Sequence, residues 1–520
     1  MRKTLVLLAV CATLAACGGN DYVPPRQPDS GSPPPPVEPP PVQPPPVEPP
    51  PPVEPPPPVE DEASLPFWNR CEHPRTGSPD GFLPYPDVQG TLADEKKFMR
   101  LYLNEAYLWY KELPKLDEAG YTSAIGYFNA LKTPLVTASG APKDRFHFTY
   151  PSAQWDELQK GVDYGYGVYW ARNADGKAPR TWRVTYVIAG TAAALAGLQR
   201  GDQLVEVDGV DFVNASDADS VAKLNAGITP KAVNELHNFA VLRGGQKIAV
   251  AMRSARLDIS PVQYVQAIDT PTGKVGYLMF NSHNTAAEKY LLDAFTQLRD
   301  ANVQDLVLDM RYNGGGLLSI ASQLSYMIAG PEQTRDKIFE RTVANDKSRQ
   351  PSPIQFIGKT FGYIVPNPAP RNTPLPYLGL KRVTILTSAG TCSASESVIN
   401  SLRGVDVEVN LVGGQTCGKP YAFTPLPNCG TTYFAIQYQG INAKGFGDYG
   451  DGFAPTCKVD DDFSHALGDK AEGQLAAALS LRASGACPAP AASARARAAA
   501  PVQALVPARP EAAEIAVRER

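Results

Sequence analysis

Two residues of the chain, Ser393 and Lys419, have types and surroundings that suit nucleophilic chemistry. An apolar, strand-like run ends at Thr387, and a helical pattern starts directly after Ser393 and continues to Leu402. The sequence therefore predicts that Ser393 lies at a helix N-terminus, where unpaired backbone N–H groups and the helix dipole stabilise developing negative charge. Lys419 follows a second apolar run, 411–412, in a glycine-rich stretch. A hydroxyl nucleophile beside an amine base predicts acyl transfer.

Lysine can accept the proton of a serine only while its own amine is neutral. Moving the pKa of a lysine from ~10.4 to about 7 takes roughly 4–5 kcal/mol, which burial has to supply. The apolar neighbours Leu411, Val412, Tyr421 and Phe423 are compatible with that burial.

Three ordered stretches then carry a specific resemblance. Residues 306–316 read LVLDMRYNGGG, residues 387–396 read TSAGTCSASE, and residues 413–419 read GGQTCGK. They resemble the DLRxNxGG turn, the nucleophile turn and the GExTxGK turn of the C-terminal processing (tail-specific) serine peptidases. The resemblance implies an endopeptidase in which Ser393 is the nucleophile and Lys419 the general base of a Ser-Lys dyad, with no metal or cofactor. It also implies polypeptide substrates with accessible C-terminal tails.

The oxyanion of such a reaction needs two backbone donors. We expect the Ala394 N–H to be one of them, because it is the first amide of the predicted helix. The second is expected from the glycine turn, since glycine lets the backbone approach closely. Within that turn the resemblance implies Gly315 first and Gly316 next.

The chain departs from the family pattern in two places. The interval between Ser393 and Lys419 is one residue longer than is common. Many relatives also carry an orienting glutamine four residues after the lysine, a position that is Phe423 here. Glu396 or Gln415 could take that supporting role, and neither follows from the motif.

The same residues also have competing interpretations. Ser393 to Glu396 reads S-x-x-E, an ordinary helix capping box. Ser395 and Ser388 are rival nucleophiles, although the motif register favours Ser393, and Cys392 is an unusual neighbour.

A Ser-His-Asp hydrolase would instead use His283 or His465, but the chain lacks the G-x-S-x-G turn. A catalytically inactive peptide-binding lipoprotein is the other reading left open. Asp309 and Arg311 are expected to form a structural ion pair, and Asn313 to shape the turn.

A PDZ-like domain is predicted ahead of the peptidase motifs. Residues 196–202 read AGLQRGD and residues 204–209 read LVEVDG, which resembles the PDZ domains of bacterial proteases. Upstream, Tyr166, Gly167 and Val168 belong to a glycine-framed turn that leads into a strand. Such a loop offers N–H groups to a chain-end carboxylate, and the strand edge can pair with an extended peptide. A PDZ fold that serves only as a structural insert is the alternative.

The first residues indicate export. Arg2 and Lys3 precede an apolar run, 4–16, which is too short to span a bilayer and is typical of a signal peptide. The run ends in a sequence that resembles the bacterial lipobox, with Cys17 as the lipidated residue, so we expect a lipid anchor in a bacterial membrane. Gly18 favours the outer membrane by analogy, facing the periplasm or the cell surface.

The cysteines beyond the signal peptide are even in number, which suggests disulfides in an exported chain. They are Cys71, Cys392, Cys417, Cys429, Cys457 and Cys487. Cys417 with Cys429 and Cys71 with Cys487 are the pairings suggested by sequence position, out of 15 possible pairings.

Composition excludes other classes of protein. The formal net charge of -4 gives no basic footprint for nucleic acid, and the five histidines show no zinc spacing. Oligomeric state is not indicated.

The predicted fold is multidomain α+β, with a helical cap, a β-rich PDZ-like domain and an α/β, crotonase-like layered core. The predicted segments are a signal peptide (1–17), a Pro-rich linker (18–62), the cap (63–150), the PDZ-like domain (151–256), the peptidase core (257–487) and an unstructured Ala/Pro/Arg-rich tail (488–520).

Overall fold

The structure, a computed structural model, describes residues 63–78, 83–173, 176–488 and 505–507. The predicted signal peptide with Cys17 and the Pro-rich linker lie outside these residues, as does most of the predicted tail. None of the helices in the described ranges combines the length and the apolar character that a membrane crossing needs.

The N-terminal domain is built around two helices. Its helices are α1 (Leu92–Ala106) and α2 (Ala124–Ala130), with 3-10 turns at Leu65–Phe67, Tyr110–Glu112 and Glu118–Gly120, and its strands are β1 (Arg70–Cys71), β2 (Val88–Gln89) and β3 (Phe148–Pro151). Thr91 and Asp94 begin α1 with a reciprocal capping box. The helical character predicted for the cap is confirmed in α1, which ends at Ala106, where the chain becomes extended. The strands were not predicted.

The PDZ-like domain follows a short helix. In chain order the elements are α3 (Ser152–Gln159), β4 (Val162–Gly165), β5 (Val168–Asn173), β6 (Trp182–Val187), α4 (Ala192–Leu195), β7 (Gln203–Val207), β8 (Val210–Asp211), α5 (Ala218–Ile228), β9 (Leu236–Arg243), β10 (Gln246–Arg253) and β11 (Ala255–Asp258). The main sheet runs β10-β9-β7-β6-β5, and β4 pairs with β11 where the chain enters and leaves the domain. Buried residues between this sheet and α5 form the domain's own core.

The peptidase core is a layered α/β unit. Its elements are β12 (Val262–Thr270), β13 (Gly273–Phe280), α6 (Ala287–Asp300), β14 (Asp305–Asp309), α7 (Leu318–Thr334, broken at Gly330), β15 (Ile338–Ala344), β16 (Ile354–Gln355), β17 (Arg382–Thr387), α8 (Ala394–Gly404), β18 (Glu408–Gly413), β19 (Tyr421–Ala422), β20 (Leu426–Asn428), β21 (Thr431–Phe434), β22 (Tyr438–Ile441), β23 (Cys457–Lys458) and α9 (Gly473–Ser484).

The central sheet has the order β12-β13-β14-β17-β18-β23 and is parallel from β13 onward. Leu306 and Leu308 of β14 pack into the cluster with α6, α7 and α8, whereas Val307 packs on the opposite face with α9. Strands buried on both faces read as continuous apolar runs, which is why the sequence predicted them. The predicted layered core is confirmed.

The sheet explains how distant motifs meet. The glycine turn follows β14, the nucleophile turn follows β17 and the lysine turn follows β18. These three strands are neighbours and parallel, so their carboxyl ends lie at one edge of the sheet, where α/β folds place their sites.

One further strand lies in the C-terminal tail. Leu505–Pro507 form β24, which pairs antiparallel with β5 at the edge of the PDZ sheet. The prediction of an unstructured tail is therefore wrong for these residues, because pairing with another domain, and not local propensity, makes them a strand.

Candidate active site

The nucleophile turn holds Ser393 in a restricted backbone conformation. Ser393 is the N-cap of α8 and has φ +56° and ψ −118°, which few residues other than glycine adopt. Two hydrogen bonds join the turn to the residues that follow β14. The Cys392 N–H donates to the Asn313 carbonyl (3.1 Å), and Thr391 Oγ1 donates to the Met310 carbonyl (2.9 Å). Such bonds hold the strained backbone of the turn in place. Since Ser393 is the N-cap of α8, its predicted position at a helix N-terminus is confirmed.

Glu396 joins the nucleophile turn to the lysine turn. Its carboxylate accepts the N–H of Ser393 (3.0 Å) and the N–H of Lys419 (2.8 Å) on the same oxygen, Oε2. The other oxygen accepts the N–H of Gly418 (2.8 Å) and the hydroxyl of Thr416 (2.6 Å). Burial raises the pKa of Glu396, against these hydrogen bonds, which lower it. The bond from Ser393 is half of the predicted capping box, but the carboxylate also reaches the lysine turn.

A disulfide ties the same two turns covalently. Cys392 is bonded to Cys417, and the other two disulfides are Cys71–Cys429 and Cys457–Cys487. The predicted pairings Cys417–Cys429 and Cys71–Cys487 are therefore wrong, because strand order and not proximity in sequence decides which cysteines meet. Cys392 is also excluded as a nucleophile in this state. The sulfurs of Cys392 and Cys417 lie near Glu396 as a possible metal-ligand cluster, but bonded to each other they offer no thiolate.

The glycine turn approaches Ser393 directly. Gly315 has φ +107°, and a Cβ added there would lie 2.8 Å from Ser393 Cβ and 2.9 Å from the Ala394 nitrogen. Gly316 has φ +133°, and its Cβ would lie 2.7 Å from the His283 carbonyl oxygen. Both positions require glycine, since a side chain would have to displace backbone atoms.

Asn313 and His283 hold the glycine turn through side-chain hydrogen bonds. Asn313 Oδ1 accepts the Gly315 N–H (3.0 Å) and is 3.1 Å from His283 Nδ1, and its Nδ2 donates to the Phe280 carbonyl (2.9 Å). Burial lowers the pKa of His283 to about 4, so its ring is neutral at ordinary pH. The expected role of Asn313 in shaping the turn is confirmed, and His283 is its partner.

Lys419 lies in an apolar niche with only 8 % of its surface exposed. Its Nζ is 4.2 Å from the ring centroid of Phe423 and 5.5 Å from that of Phe146, in the N-terminal domain. Phe423, which replaces the glutamine of many relatives, therefore supplies part of the burial that was expected for the lysine.

Arg145 fixes the lysine turn from the N-terminal domain and carries no sequence signal. Its guanidinium donates to the carbonyls of Cys417 (2.8 Å) and Gly450 (2.9 Å). The neighbouring Asp144 is fully buried, and although burial favours its neutral form, bonds from His147, the Tyr107 hydroxyl and the Phe146 N–H hold the pKa of Asp144 below its ordinary value. The segment that carries Arg145 and Phe146 is thus also anchored by buried hydrogen bonds within the N-terminal domain.

Other predicted participants lie elsewhere. Ser395 Oγ donates to the Asn313 carbonyl and Ser388 Oγ donates to the Arg311 carbonyl, so both rival hydroxyls are engaged. Gln415 is exposed and donates to the Asp451 carbonyl (2.6 Å), so the structure does not bring it to the site. His465 bonds to Asp462 on the surface.

The PDZ domain docks beside the glycine turn. Arg200, inside the AGLQRGD stretch, donates to the Tyr312 hydroxyl (2.7 Å) and to Asp461 (2.5 Å). Asp461 also bonds Arg311, whose predicted ion pair with Asp309 (2.9 Å) is confirmed and extends to Glu472 (2.7 Å).

A cavity of about 130 Å³ lies between the PDZ domain and the peptidase core. Its lining includes Tyr169 and Trp170 of β5, Tyr186 of β6, and Gly315 and Gly316 of the glycine turn. An aromatic cavity that begins at the glycine turn is suited to hold part of a peptide next to Ser393.

The predicted peptide-binding residues of the PDZ domain frame the start of β5. Gly167 has φ +79°, and a Cβ there would lie 2.2 Å from Thr191 Oγ1. Tyr166 is buried and its hydroxyl donates to the Gly227 carbonyl of α5 (2.8 Å), and Val168 is the first residue of β5.

Fold and site together define the class of protein. The carboxyl ends of three parallel strands bring a serine at a helix N-terminus, a buried lysine and a glycine turn to one edge of a layered sheet, as in serine hydrolases.

Comparison with known families gives the particular assignment. Residues 274–446 match peptidase family S41, residues 183–233 match the PDZ domain and residues 94–149 match the peptidase S41 N-terminal domain. The peptidase core therefore matches peptidase family S41, and an S41 N-terminal domain and a PDZ domain precede it in the same chain.

Individual relatives are distant. The chain is 28% identical over 234 residues to the carboxyl-terminal-processing protease of Synechocystis, which is 45% of this chain and 48% of that protein. It is 26% identical over 207 residues to the chloroplastic carboxyl-terminal-processing peptidase 1 of Arabidopsis thaliana, which is 37% of this chain and 41% of that protein. The chain thus spans less than half the length of these curated relatives. A crystal structure described as an S41 protease from Bacteroides fragilis superposes with a TM-score of 0.57 at 22% identity, covering 77% of this chain and 98% of that one, which shows the fold.

Proposed function

We propose that this protein is a serine endopeptidase that cleaves polypeptides through a Ser393–Lys419 dyad and an acyl-enzyme. One observation carries the proposal: a single buried oxygen of Glu396 binds the backbone N–H of both Ser393 and Lys419. A helix cap alone does not need the second bond, whereas a dyad needs both turns in a fixed relation.

The reaction begins with neutral Lys419. Lys419 Nζ takes the proton of Ser393 Oγ as Oγ bonds to the carbonyl carbon of the substrate, which leaves an oxyanion and an ammonium. The ammonium then returns its proton to the leaving amine as the C–N bond breaks, and an ester remains on Ser393. Water, deprotonated by Lys419, then bonds to the ester carbon. The bond from that carbon to Ser393 Oγ breaks, and Lys419 returns the proton to Oγ, which restores the neutral dyad.

The oxyanion takes its donors from the two turns beside Ser393. Across the described part of the chain, neither the Ala394 N–H nor the Gly316 N–H donates a hydrogen bond, so both are available. The N–H of Gly315, the donor expected first, is bonded to Asn313 and would have to leave it when substrate binds.

Substrate capture is assigned to the PDZ domain. The loop at Tyr166 and Gly167 and the edge of β5 are suited to an extended chain end, and Arg200 holds this domain against the glycine turn. The relatives whose names describe carboxyl-terminal processing support substrates that present their C-terminal tails. We further propose export and a lipid anchor at Cys17, from the signal-like sequence alone.

The proposal is tested by cleavage of β-casein and of a C-terminal tail peptide. Ser393→Ala and Lys419→Met should each remove detectable cleavage, because each deletes one member of the dyad. Ser401→Ala and Lys96→Met are matched controls, since Ser401 is a buried serine of α8 and Lys96 a buried lysine bonded to the carbonyls of Glu118 and Tyr121. Cleavage by folded Ser393→Ala at the wild-type rate would contradict the proposal.

A catalytically inactive peptide-binding lipoprotein is the second candidate, and Phe423 in place of glutamine favours it. A fluorophosphonate probe separates the two. Wild type should form an adduct at Ser393 that mass spectrometry locates, whereas an inactive scaffold would bind tail peptides and form none.

A further inference from the structure

The edge of the PDZ sheet is covered by the chain's own tail. β24 pairs antiparallel with β5 in the register Leu505 with Asn173, Val506 with Arg172 and Pro507 with Ala171. β24 is the outermost strand of the sheet order, directly beside β5.

This edge is the one suited to bind peptides. β5 starts at Val168, immediately after the loop of Tyr166 and Gly167. Its other side is paired with β6, so only the edge that faces β24 is open to an added strand. A peptide that adds to such an edge gains main-chain hydrogen bonds that do not depend on its sequence.

Three paired residues are a weak ligand when free, but this segment is not free. It is joined through residues 489–504 to Pro488, next to the Cys457–Cys487 disulfide that fixes the end of the core. A covalent connection of this length gives an effective concentration on the order of mM, enough to populate a weak contact. Leu505 and Val506 are also large aliphatic residues in a tail rich in Ala, Pro and Arg.

We propose that Leu505–Pro507 are a built-in ligand of the PDZ domain, which a substrate tail must displace from β5. The proposal deepens the proposed function, and its competitive part rests on the assignment of tail capture to this domain. The occupied strand also lines the cavity between the PDZ domain and the peptidase core through Tyr169 and Trp170, so β5 contacts both the tail and the cavity beside Gly315.

The first experiment measures occupancy directly, in a Ser393→Ala background that prevents self-cleavage. Hydrogen exchange of residues 168–173 is compared between the full chain and a chain that ends at Pro488. The amides of β5 that face β24 should exchange about tenfold faster in the shortened chain. A synthetic peptide of residues 501–510 should restore their protection, and equal exchange in both chains would overturn the proposal.

A pair of full-length variants provides the matched control. Alternate residues of a strand donate to the same neighbour, so replacing both Leu505→Pro and Val506→Pro removes the N–H that faces β5 whichever residue supplies it. This variant should exchange like the shortened chain. Ala516→Pro with Val517→Pro, in the same tail beyond the strand, should exchange like the unaltered chain, and the reverse result would reject the assignment of the segment.

The second experiment measures competition by the fluorescence anisotropy of a labelled C-terminal tail peptide. Its apparent Kd should be roughly three- to tenfold weaker for the full chain than for the chain ending at Pro488. Equal Kd values with equal exchange contradict the inference and leave the proposed function intact. Protection of β5 without peptide binding to either chain would instead retain the built-in ligand and reject tail capture.

Discussion

The turns around Ser393 are held by several bonds, whereas the edge of β5 that is suited to bind a peptide is covered by three residues of the C-terminal tail. Glu396, the Cys392–Cys417 disulfide and Arg145 all bind the lysine turn. The β5 edge is covered by the backbone pairing of β24. Catalysis requires donors and acceptors fixed before the substrate arrives, and capture requires an edge that can be vacated. The turns around Ser393 are therefore built to stay fixed, whereas the β5 edge is built to exchange one bound strand for another.

Removing the carboxylate that joins the two turns should have the largest effect. Glu396→Gln leaves one acceptor oxygen for four donors, so the turns should separate and kcat should fall about 100-fold while KM changes little. Steady-state kinetics on a tail peptide measures this. Glu288→Gln is the matched control, because Glu288 is a buried carboxylate that accepts the backbone N–H groups of Phe361 and Gly362, which belong to none of the three turns of the site. An equal loss of kcat in both variants would remove the positioning role of Glu396.

Removing the Cys392–Cys417 disulfide should distinguish its effect on the position of the catalytic turns from its effect on the stability of the fold. Cys392→Ser with Cys417→Ser and Cys457→Ser with Cys487→Ser open loops of similar length, since the sequence separations are 25 and 30. Each pair of substitutions should lower the free energy of unfolding by about 3 kcal/mol in denaturant titrations. Only the first should also lower kcat, by roughly tenfold or more. Equal kcat in the two variants would mean that the active-site disulfide stabilises the fold alone.

Acid should weaken the glycine turn through His283. Burial lowers the pKa of His283 to about 4, whereas the unfolded histidine titrates near its ordinary 6.5. The unfolded chain therefore binds this proton first, and stability present above pH 6.5 is lost as the pH falls to 4. The loss should reach about 3 kcal/mol and be absent from His283→Gln, as urea unfolding at several pH values would show.

The same variant tests the Ser-His-Asp alternative. If His283 only supports the turn, the profile of kcat/KM against pH keeps its shape in His283→Gln and only its height changes. A lost titration step would assign proton transfer to His283.

Arg145 should give the smallest effect of the four. Arg145→Ala removes two bonds to the carbonyls of the lysine turn and its surroundings, and kcat should fall about tenfold. Arg145→Lys, which keeps one donor, should recover part of the loss. Full activity of Arg145→Ala would show that Glu396 and the disulfide suffice to hold the turn.

The sequence predicts the motif-bearing strands and helices well, because each is a local apolar run bounded by turn residues. β17 ends at Thr387 and α8 starts at Ala394, as the sequence predicts. The order of the motifs also indicates which strand ends converge: Gly315 lies against Ser393, and the backbone N–H groups of Ser393 and Lys419 meet at Glu396. Their catalytic roles stay predictions.

Other parts of the site depend on contacts that leave no local pattern. Arg145 is one charged residue in a segment without a motif, and it acts on a turn far along the chain. The cysteines misled because Cys417 and Cys429 are close in sequence, although Cys417 faces the nucleophile turn and Cys429 lies in the β20–β21 turn facing Cys71. β24 is a strand only through its partner β5.

The Cys71–Cys429 disulfide determines which part of the chain would bear a force applied at its N-terminal side. It joins residues 358 positions apart and spans the PDZ domain and most of the core. Tension applied to the chain ahead of Cys71 passes through one covalent link into the β20–β21 hairpin, without stretching the PDZ domain. A chain cut by another protease at an exposed PDZ loop would also keep both fragments attached through this bond, so the peptidase core would stay joined to the N-terminal domain.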